Sequence, residues 1–432
     1  MRRKLRPLAG QAWLSAPDSR RVLRALAAGG RPVRFVGGCV RDGLLGRDRA
    51  GRDLDLATPE APERVIDLLA AAGLKAIPTG LAHGTVTALA DGRRFEITTL
   101  RRDVRTDGRH AIVAFTDDFA ADAARRDFTI NAMSCDPDGR LFDYFGGRAD
   151  LAAGRVRFVG VAAQRIAEDF LRILRFFRFL AHYGRLPADT EALAACAAAA
   201  PEIARLSGER IQVEMRELLA AENPLPALAL MRQTGVLAQV VPGTPAEDRL
   251  ARLLALAPAA DWLLRLAALL RGEAAEAVAQ VASRWRLSSR DAERLLALSQ
   301  DPLPPLVATP AARRRALHRL GAGRYADLAR LAAAETGADD AGAMLAEALC
   351  EAARWRPKTL PISGHDVLAL GVPAGPAVGK LLAEVEDWWA AQDFAPDRAA
   401  CLAEARALLH ASGHVRSGRG TTPRTPGDGA SP

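Results

Sequence analysis

Most strand-forming segments lie in the first 150 residues of this 432-residue chain, and the sequence after residue 155 is patterned almost wholly for helices. Strands interspersed with helices imply an α/β or α+β domain, which we term the head (residues 1–150). Its predicted helices lie at 18–28 and 61–72. The predicted strands lie at 32–36, 54–57, 84–90 and 95–100, with shorter candidates at 112–115 and 141–144.

The remainder of the chain predicts helices and little else. Residues 164–183 form one predicted helix that Gly184 and Pro187 end, and further helices follow at 190–199, 209–221 and 226–234. The Pro-rich segment 301–310 is expected to be a linker, and 364–410 a last compact unit. Residues beyond 412 are mostly Gly, Ser, Thr, Pro and Arg, which predicts disorder. The predicted fold class is therefore α+β, with an all-α remainder.

The charge balance favours a polyanionic partner. Lys plus Arg number 59 against 51 Asp plus Glu, which gives a net charge of +8 and a pI near 9.7. This suits nucleic acid, although an Arg-rich genome composition alone would also produce it. No apolar run reaches the roughly 18 residues of a membrane span. Asp261 and Arg265 interrupt the longest candidate, at 253–270.

The number and spacing of the cysteines indicate the redox state of the cellular compartment. There are five, scattered and without a CxxC pair, which argues against a disulfide framework and a zinc cluster and favours a reducing cytoplasm. Residues 1–14 are Arg-rich and lack acids, a faint resemblance to a transit peptide, and there is no secretory signal. We expect a cytoplasmic protein. The sequence carries no signal for its oligomeric state.

A pair of acids in the predicted strand at 54–57 suggests a metal site. Side chains at i and i+2 of a strand share a face, so Asp53 and Asp55 project together. Two carboxylates that close repel each other unless a cation lies between them, and such oxygen ligands suit Mg²⁺. The alternative is a solvated strand face on which the two acids occur by chance.

The segment before these acids predicts a phosphate cradle. Residues 33–42 are patterned as a strand, a turn at Gly37 and Gly38, and the start of a helix. Backbone N–H groups at such a turn and helix N-terminus bind anions, and Arg41 can add a bidentate phosphate contact. Many turns require glycine for conformational reasons alone, so the two glycines are weak evidence by themselves. The stronger evidence for a phosphate cradle is the short sequence distance between this turn and the paired acids.

A third acid completes the predicted metal site. Glu96 shares a strand face with Thr98, while Phe95 and Ile97 face the core. Three acids on neighbouring strands could hold two metal ions ~3.5–4 Å apart for an in-line phosphoryl displacement. The alternative for Glu96 is an ordinary charge on an edge strand.

These features, in this order, resemble the nucleotidyltransferase fold of the DNA polymerase β superfamily. Closer still is the resemblance to class II tRNA nucleotidyltransferases (CCA-adding enzymes) and bacterial poly(A) polymerases. It rests on GGCVRD at 37–42, DLD at 53–55, RRDFTINAM at 125–133, EDFLRILR at 168–175 and LSGERI at 206–211. Residues 364–381 resemble the family's tail domain. The family implies a mixed sheet in the head, a helical neck that selects the base (151–225), a helical body (226–355) and a tRNA-binding tail (356–412), before the disordered residues 413–432.

The resemblance also implies roles for individual residues. Arg126, Asp127 and Asn131 would contact the sugar and phosphates of the nucleotide. An acid such as Asp127 can accept a hydrogen bond from the 2′-hydroxyl that distinguishes RNA precursors, and Arg126 can clamp phosphate oxygens. The alternative is that residues 125–127 form an exposed charge run.

The neck contains the predicted base-reading pair. Asp169 and Arg172 lie three residues apart, which makes them neighbours on one helix face. The acceptors of Asp169 and the donors of Arg172 match the amino group and ring nitrogen of both cytosine and adenine, whereas guanine and uracil present the reverse pattern. The family is held to use such a pair as an amino-acid template. The alternative is a surface salt bridge.

The same helix carries residues with secondary roles. Arg175 is expected to hold the triphosphate or to orient Asp169. Phe176, Phe177 and Phe179 are expected to belong to the core rather than to stack on a base.

Several features favour CCA addition over poly(A) synthesis. Residues 83–87 lack the basic segment of the poly(A) subgroup, and 102–115 resemble the flexible loop that CCA enzymes need for the final A. The implied partners are the 3′ acceptor end of tRNA, CTP and ATP, with Mg²⁺ as cofactor and no membrane. Two alternatives remain: a poly(A) polymerase, and a non-catalytic RNA-binding protein that retains the fold.

Overall fold

The computed structural model describes residues 2–47, 53–107, 110–243 and 245–411, with the backbone alone at 103–113. The predicted disordered tail at 413–432 lies outside the described residues. The chain divides after Asp301 into two compact units, at the start of the predicted linker. The finer domain boundaries at 150, 225 and 355 remain predictions.

The described part of the first unit contains nine strands. They are β1 (Arg34–Val36), β2 (Leu54–Thr58), β3 (Lys75–Gly80), β4 (Thr85–Ala90), β5 (Arg93–Thr99), β6 (Arg101–Asp107), β7 (His110–Phe115), β8 (Ser134–Cys135) and β9 (Leu141–Phe142). Seven of them form one sheet in the order β3-β4-β5-β2-β1-β8-β9, and β6 pairs with β7 alone. Neighbours in the large sheet are antiparallel except β2 and β5, which are parallel. The predicted mixed sheet and α+β class are confirmed.

The two faces of this sheet have different surroundings. Leu54 and Leu56 of β2, and Phe95 and Ile97 of β5, are buried, while the residues between them face outward. Full burial of such a side chain contributes about 1.5–3 kcal/mol, which fixes the register of the two strands. Helices α1 (Ala12–Ser15), α2 (Pro17–Ala27), α3 (Gly38–Leu45) and α4 (Pro62–Ala71) belong to the head. Of these, α2 and α4 pack against β4.

The N-terminal segment is part of the folded head. Leu8, Trp13 and Leu14 are buried. The backbone N–H of Arg6 donates to the carbonyl oxygen of Leu44 over 2.8 Å. The acid-free stretch at 1–14 thus has a packing role in its described part.

Helices make up the rest of the first unit. They are α5 (Phe119–Ala124), α6 (Gly147–Ala153), α7 (Ala162–Glu168), α8 (Leu171–Tyr183), α9 (Thr190–Ala198), α10 (Gly208–Leu219), α11 (Leu225–Gln233), α12 (Glu247–Leu256), α13 (Trp262–Leu270), α14 (Ala275–Arg284) and α15 (Ser289–Gln300). Helix α8 packs against α10 and α11. No helix of the described residues is long and apolar enough to cross a membrane.

The single helix predicted at 164–183 is wrong, because the chain breaks it between α7 and α8. Asp169 adopts an extended conformation with φ −158° and ψ 107°. Its Oδ1 accepts a hydrogen bond from the backbone N–H of Leu171 over 3.1 Å. An Asp side chain that bonds nearby backbone competes with helix continuation in this way.

The second unit is helical throughout its described part. It comprises α16 (Pro310–Leu320), α17 (Ala322–Thr336), α18 (Ala341–Arg354), α19 (Gly364–Ala369), α20 (Pro376–Ala391) and α21 (Arg398–Ala411). Val367, Val385, Trp389 and Cys401 are buried in one cluster that α19, α20 and α21 share. A capping box in which Ser363 and Asp366 bond each other's backbone begins α19.

Candidate active site

The sheet register places two of the predicted metal ligands side by side. Asp55 of β2 pairs with Glu96 of the parallel strand β5. Their neighbours on both strands are buried, whereas Asp55 is half-buried and Glu96 exposed, so both acids project from the open face. Asp53, one residue before β2, is exposed, as expected for this face. Within the described ranges, no group of three His, Cys, Asp or Glu side chains is arranged to hold a metal ion. Convergence of the three carboxylates therefore remains a prediction.

The glycine turn lies beside Asp55. Gly37 has φ 70° and ψ −124°, a conformation that side-chain-bearing residues rarely adopt, and Gly38 begins α3. A Cβ atom added at Gly37 would lie 3.1 Å from Nη1 of Arg126 and 3.9 Å from Oδ2 of Asp55. The turn thus needs glycine both for its dihedral angles and for its close approach to these side chains.

A cavity of about 440 Å³, which we term the nucleotide cavity, gathers most of the predicted residues. Leu171, Phe179 and Arg210 line it although they were not predicted site residues. Asp53 and Glu96 are not among the residues that line it. The predicted residues that do are Gly37, Gly38, Arg41, Asp55, Arg126, Asp127, Asn131, Asp169, Arg172 and Arg175.

Asp127 is the centre of a buried polar network in this cavity. Its Oδ1 accepts from the backbone N–H of Phe128 over 2.8 Å and from Nδ2 of Asn131 over 3.0 Å. Its Oδ2 accepts from Nε and Nη2 of Arg175 over 2.8 and 2.5 Å. Burial opposes the charged carboxylate, but Arg175 and Asn131 outweigh it and lower the pKa of Asp127. The four acceptor positions of the carboxylate are occupied, so the contact predicted with a sugar hydroxyl requires one of these bonds to be exchanged.

Arg175 is held from two sides. Besides Asp127, its Nη1 lies 3.5 Å from Oε1 of Glu214, a buried acid on α10. Burial raises the pKa of Glu214 despite Arg178 and Arg175 nearby. The two acids, Asp127 and Glu214, therefore fix the Arg175 guanidinium between the head and α10. Among the described residues, Arg175 forms no hydrogen bond with Asp169, which it was expected to orient unless it holds the triphosphate.

Arg41 is anchored by the protein rather than extended to solvent. Its side chain is buried, and its Nε donates to Oδ1 of Asp42 over 2.9 Å. Its Nη1 donates to Oδ1 of Asn131 over 2.5 Å, and its Nη2 to the hydroxyl of Tyr183 over 2.7 Å. These bonds leave less capacity for the predicted bidentate phosphate contact.

The motif at 125–127 is not an exposed charge run, because Arg125 and Arg126 are half-buried and Asp127 is buried. Asp122 of α5 lies 2.8 Å from Nη2 of Arg125 and 3.3 Å from Nη2 of Arg126. Burial alone would raise the pKa of Asp122, but these two guanidiniums lower it. Arg126 is therefore oriented towards the glycine turn by an acid one helical turn earlier.

Asp169 and Arg172 both line the nucleotide cavity, but they do not lie on one unbroken helix as predicted, because Asp169 ends α7 and Arg172 belongs to α8. Among the described residues, the hydrogen bonds of both side chains go to other partners, unlike the salt-bridge alternative. Oδ2 of Asp169 accepts from Nη2 of Arg210 over 2.7 Å. Arg172 donates instead to the carboxylate of Glu168 and, over 2.8 Å, to the carbonyl oxygen of Arg165. Arg210 lies within the family motif at 206–211, which was the only signal for it in the sequence.

The phenylalanines of α8 behave largely as predicted. Phe176 and Phe177 are buried in the core, and Phe176 lies in an aromatic cluster with Phe128 and Phe158. Phe179 is 6% exposed and lines the nucleotide cavity. Its ring lies beneath the guanidinium of Arg178, 4.8 Å from the ring centroid.

The predicted flexible loop at 102–115 forms most of a hairpin. Its backbone belongs to β6 and β7, which pair from Arg101 with Phe115 to Asp107 with His110. Residues 108 and 109 lie outside the described residues. The mobility predicted for this segment remains a prediction.

Comparison with known proteins gives the family. Residues 33–157 match the poly A polymerase head domain, and 188–247 match a domain described as a probable RNA and SrmB-binding site of polymerase A. The mitochondrial CCA tRNA nucleotidyltransferase 1 of Mus musculus is 35% identical over 377 residues, which cover 83% of this chain and 82% of that protein. The chain belongs to the CCA tRNA nucleotidyltransferase family. The predicted resemblance and enzyme class are confirmed.

Further members of the family extend the comparison. The corresponding Homo sapiens protein is 35% identical over 389 residues, covering 83% of this chain and 82% of that protein. The CCA-adding enzyme of Geobacillus thermodenitrificans is 38% identical over 250 residues, 57% of each chain. The crystal structure of the Bacillus stearothermophilus CCA-adding enzyme in complex with CTP matches with a TM-score of 0.74 at 29% identity, and covers 92% of this chain and 98% of that chain.

Proposed function

We propose that this member of the family adds C, C and A to the 3′ end of tRNA from CTP and ATP and releases pyrophosphate. The nucleotide cavity supports the proposal most directly. It brings a glycine turn, a strand carboxylate, guanidinium groups and the base-reading residues of the neck within one volume of about 440 Å³. A site of this composition suits an anionic nucleotide.

In the proposed reaction the 3′-oxygen of the RNA forms a bond to the α-phosphorus of the nucleotide. The bond from that phosphorus to the β-phosphate oxygen breaks, pyrophosphate leaves, and the hydroxyl proton passes to solvent. Negative charge on the departing phosphates falls near the glycine turn, where Arg126 supplies positive charge within the same cavity. Asp127 acts as a positioning residue in this scheme because it holds Arg175.

The carboxylates fit Mg²⁺ by their chemistry. Asp53, Asp55 and Glu96 offer oxygen ligands from one sheet face, and Asp55 also lines the nucleotide cavity. When bound there, Mg²⁺ would increase the acidity of the 3′-hydroxyl and neutralise charge on the phosphates. The protein's own part is to present these acids from two parallel strands, beside the glycine turn.

Base selection falls to the cavity wall formed by the neck. Asp169 keeps acceptor capacity towards an amino group, because each of its oxygens accepts one protein donor and a carboxylate oxygen can accept two. Arg172 supplies donors towards a ring nitrogen. Arg210 and Glu168 hold the two side chains in place, so the pair works as a supported site rather than as a self-paired salt bridge.

The principal alternative is a poly(A) polymerase, which would use the same site. Incubation of the full-length protein with each nucleotide and a tRNA that lacks CCA separates the two. Stepwise addition of C, C and A followed by arrest supports CCA addition, whereas long adenylate tails would contradict it. A protein that binds this tRNA and incorporates no nucleotide would instead be the non-catalytic alternative.

We also place the reaction in the cytoplasm, where thiols remain reduced. All five cysteines lie within the described residues as thiols outside any disulfide, and Cys350 is exposed. The relatives from Mus musculus and Homo sapiens are named as mitochondrial proteins. Immunolocalisation of the native protein tests the compartment.

A further inference from the structure

A second cavity lies next to the nucleotide cavity. Its volume is about 280 Å³, and we term it the rear cavity. It shares only Arg41 and Phe179 with the nucleotide cavity, so these two side chains stand between the two volumes. Its full lining is Arg41, Asp42, Arg47, Arg178, Phe179, His182, Tyr183 and Glu217.

Hydrogen-bond donors dominate this lining. Arg178 forms an ion pair with Glu214 through Nε over 3.0 Å, and its terminal nitrogens donate no hydrogen bond within the described part of the chain. Arg47 is exposed and donates from Nη2 to the carbonyl oxygen of His182 over 3.0 Å, and its other side-chain nitrogens donate no hydrogen bond to a residue that the structure describes. His182 uses Nε2 for the carbonyl oxygen of Glu217 over 2.8 Å, so Nδ1 is its second polar atom.

The acids of the rear cavity offset little of this charge. Both oxygens of Asp42 accept from Arg41, over 2.9 and 3.2 Å, and Oδ1 also accepts from the hydroxyl of Tyr183 over 3.2 Å. Glu217 has a side chain that is 44% exposed and lies 3.3 Å from Arg216. The remaining capacity of the cavity is therefore cationic and donor-rich.

The lowered pKa values of two basic groups, His182 and Arg3, agree with this geometry. Burial, and then the neighbouring Arg178 and Arg47, lower the pKa of His182. Burial, and then Arg185 and Arg47, lower the pKa of Arg3, whose Nη1 donates to the carbonyl oxygen of Tyr183 over 2.7 Å. Both pKa shifts have the direction that positive charge concentrated at the C-terminus of α8 produces.

A purely structural explanation covers part of this arrangement. Arg3 and one nitrogen of Arg47 satisfy carbonyl groups at the end of α8, where cations are favourable. That explanation does not account for the terminal nitrogens of Arg178 or for Nδ1 of His182, which serve no carbonyl of the helix. Donors gathered in this way suit an oxyanion.

We propose that the rear cavity binds the pyrophosphate released by the reaction. The inference rests on the proposed function, because only nucleotidyl transfer supplies this product at the neighbouring site. A volume of about 280 Å³ falls just below the usual range of cavities for drug-sized ligands, which favours an anion smaller than a nucleotide. Arg41 lines both cavities and follows the glycine turn closely in sequence, so a phosphate group in the nucleotide cavity is separated from the rear cavity by the side chains of Arg41 and Phe179.

The test is calorimetric titration of the full-length protein in two stages, without RNA. CTP is first added to saturation in Mg²⁺-containing buffer, and inorganic pyrophosphate is then titrated into the complex. With the nucleotide cavity occupied, the wild-type chain is expected to bind one further pyrophosphate. Arg47→Gln removes a charge at the exposed mouth and should weaken this second binding on the order of 10-fold, while Arg47→Lys retains the charge and should weaken it less.

The matched control is Arg64→Gln, which removes the same charge from an exposed arginine on α4, remote in sequence from the rear cavity. Absence of pyrophosphate binding to the CTP complex, or equal binding by Arg47→Gln and wild type, would overturn the proposal. A variant that binds tRNA more weakly but pyrophosphate unchanged would assign the cavity to an RNA phosphate and also overturn it. Failure of the first titration, in contrast, contradicts the proposed function itself.

Discussion

Loss of the Arg210 side chain should relax base selection while preserving chemistry. In Arg210→Gln, Oδ2 of Asp169 loses a donor at 2.7 Å, and among the described residues the backbone N–H of Leu171 is the remaining hydrogen-bond donor to the carboxylate. Arg210 is far along the sequence from the metal-ligand candidates and belongs to α10. The variant therefore removes a hydrogen bond to Asp169 in the neck and changes no residue of the sheet.

The expected loss of base discrimination follows from the solvent exposure of Arg210 and Asp169. A hydrogen bond between charged groups contributes about 1.5–3 kcal/mol. The side chains of Arg210 and Asp169 are 28% and 26% exposed, so water screens part of this interaction and about 1–2 kcal/mol is the reasonable range. Discrimination of C and A against G and U should therefore fall about 5- to 30-fold.

The assay is single-turnover incorporation of each of the four nucleotides into tRNA that ends before the CCA sequence, with kcat/KM measured for each. Arg216→Gln is the matched control, because Arg216 lies on the same helix with a side chain that is 48% exposed and pairs with Glu217. It should leave discrimination unchanged. An equal loss of incorporation for all four nucleotides in Arg210→Gln would refute the reasoning, since it would show that Arg210 supports catalysis or folding rather than the orientation of Asp169.

Three further outcomes are expected. Asp53→Ala should abolish incorporation of every nucleotide and leave tRNA binding within about 2-fold, by filter binding, because one metal-ligand candidate is lost at an exposed position. Asp127→Asn should destabilise the chain by about 1.5–3 kcal/mol in urea unfolding at neutral pH, because Arg175 loses the closer of its two buried acids. The pKa of Asp366 is lowered to about 2 by the Arg398 hydrogen bond and the cap of α19, so its stabilising effect is present above its unfolded pKa and is lost as the pH falls towards 2. In Asp366→Asn the acid transition monitored by tryptophan fluorescence should be shallower over that window.

Two outcomes would contradict these expectations. Nucleotide incorporation by Asp53→Ala at the wild-type rate would exclude a metal-ligand role for Asp53. For Asp127→Asn, unchanged unfolding would show that Glu214 alone suffices to hold Arg175.

The sheet and its acids could be predicted because a strand has a two-residue period. Alternation of Leu54 and Leu56 with Asp53 and Asp55 shows which side chains share a face, whatever the neighbouring strand. The pairing of Asp55 with Glu96 then required only that two buried strands lie parallel. Strand β3 was missed because Pro78 and Gly80 interrupt it, and such residues are tolerated at the edge that β3 occupies.

The neck shows why local spacing does not determine a site. Three-residue spacing predicted that Asp169 and Arg172 share one helix face, but that argument assumes an unbroken helix. The Asp169 side chain itself ends the first helix by accepting a hydrogen bond from the backbone N–H of Leu171. The partners that do form lie far away in sequence. Arg210 reaches Asp169 across 41 residues, and Arg175 reaches Asp127 across 48.

Such long-range pairs depend on how α8 packs against α10 and the head, which no short motif encodes. Burial then makes them consequential, because a guanidinium or carboxylate without its partner is costly in the interior. Family motifs identified ten residues that line one cavity, whereas the packing decides which acid holds which arginine. For this reason the positioning residues Arg210 and Glu214, rather than the acids of the sheet, are where variants best separate base selection from the metal-dependent step.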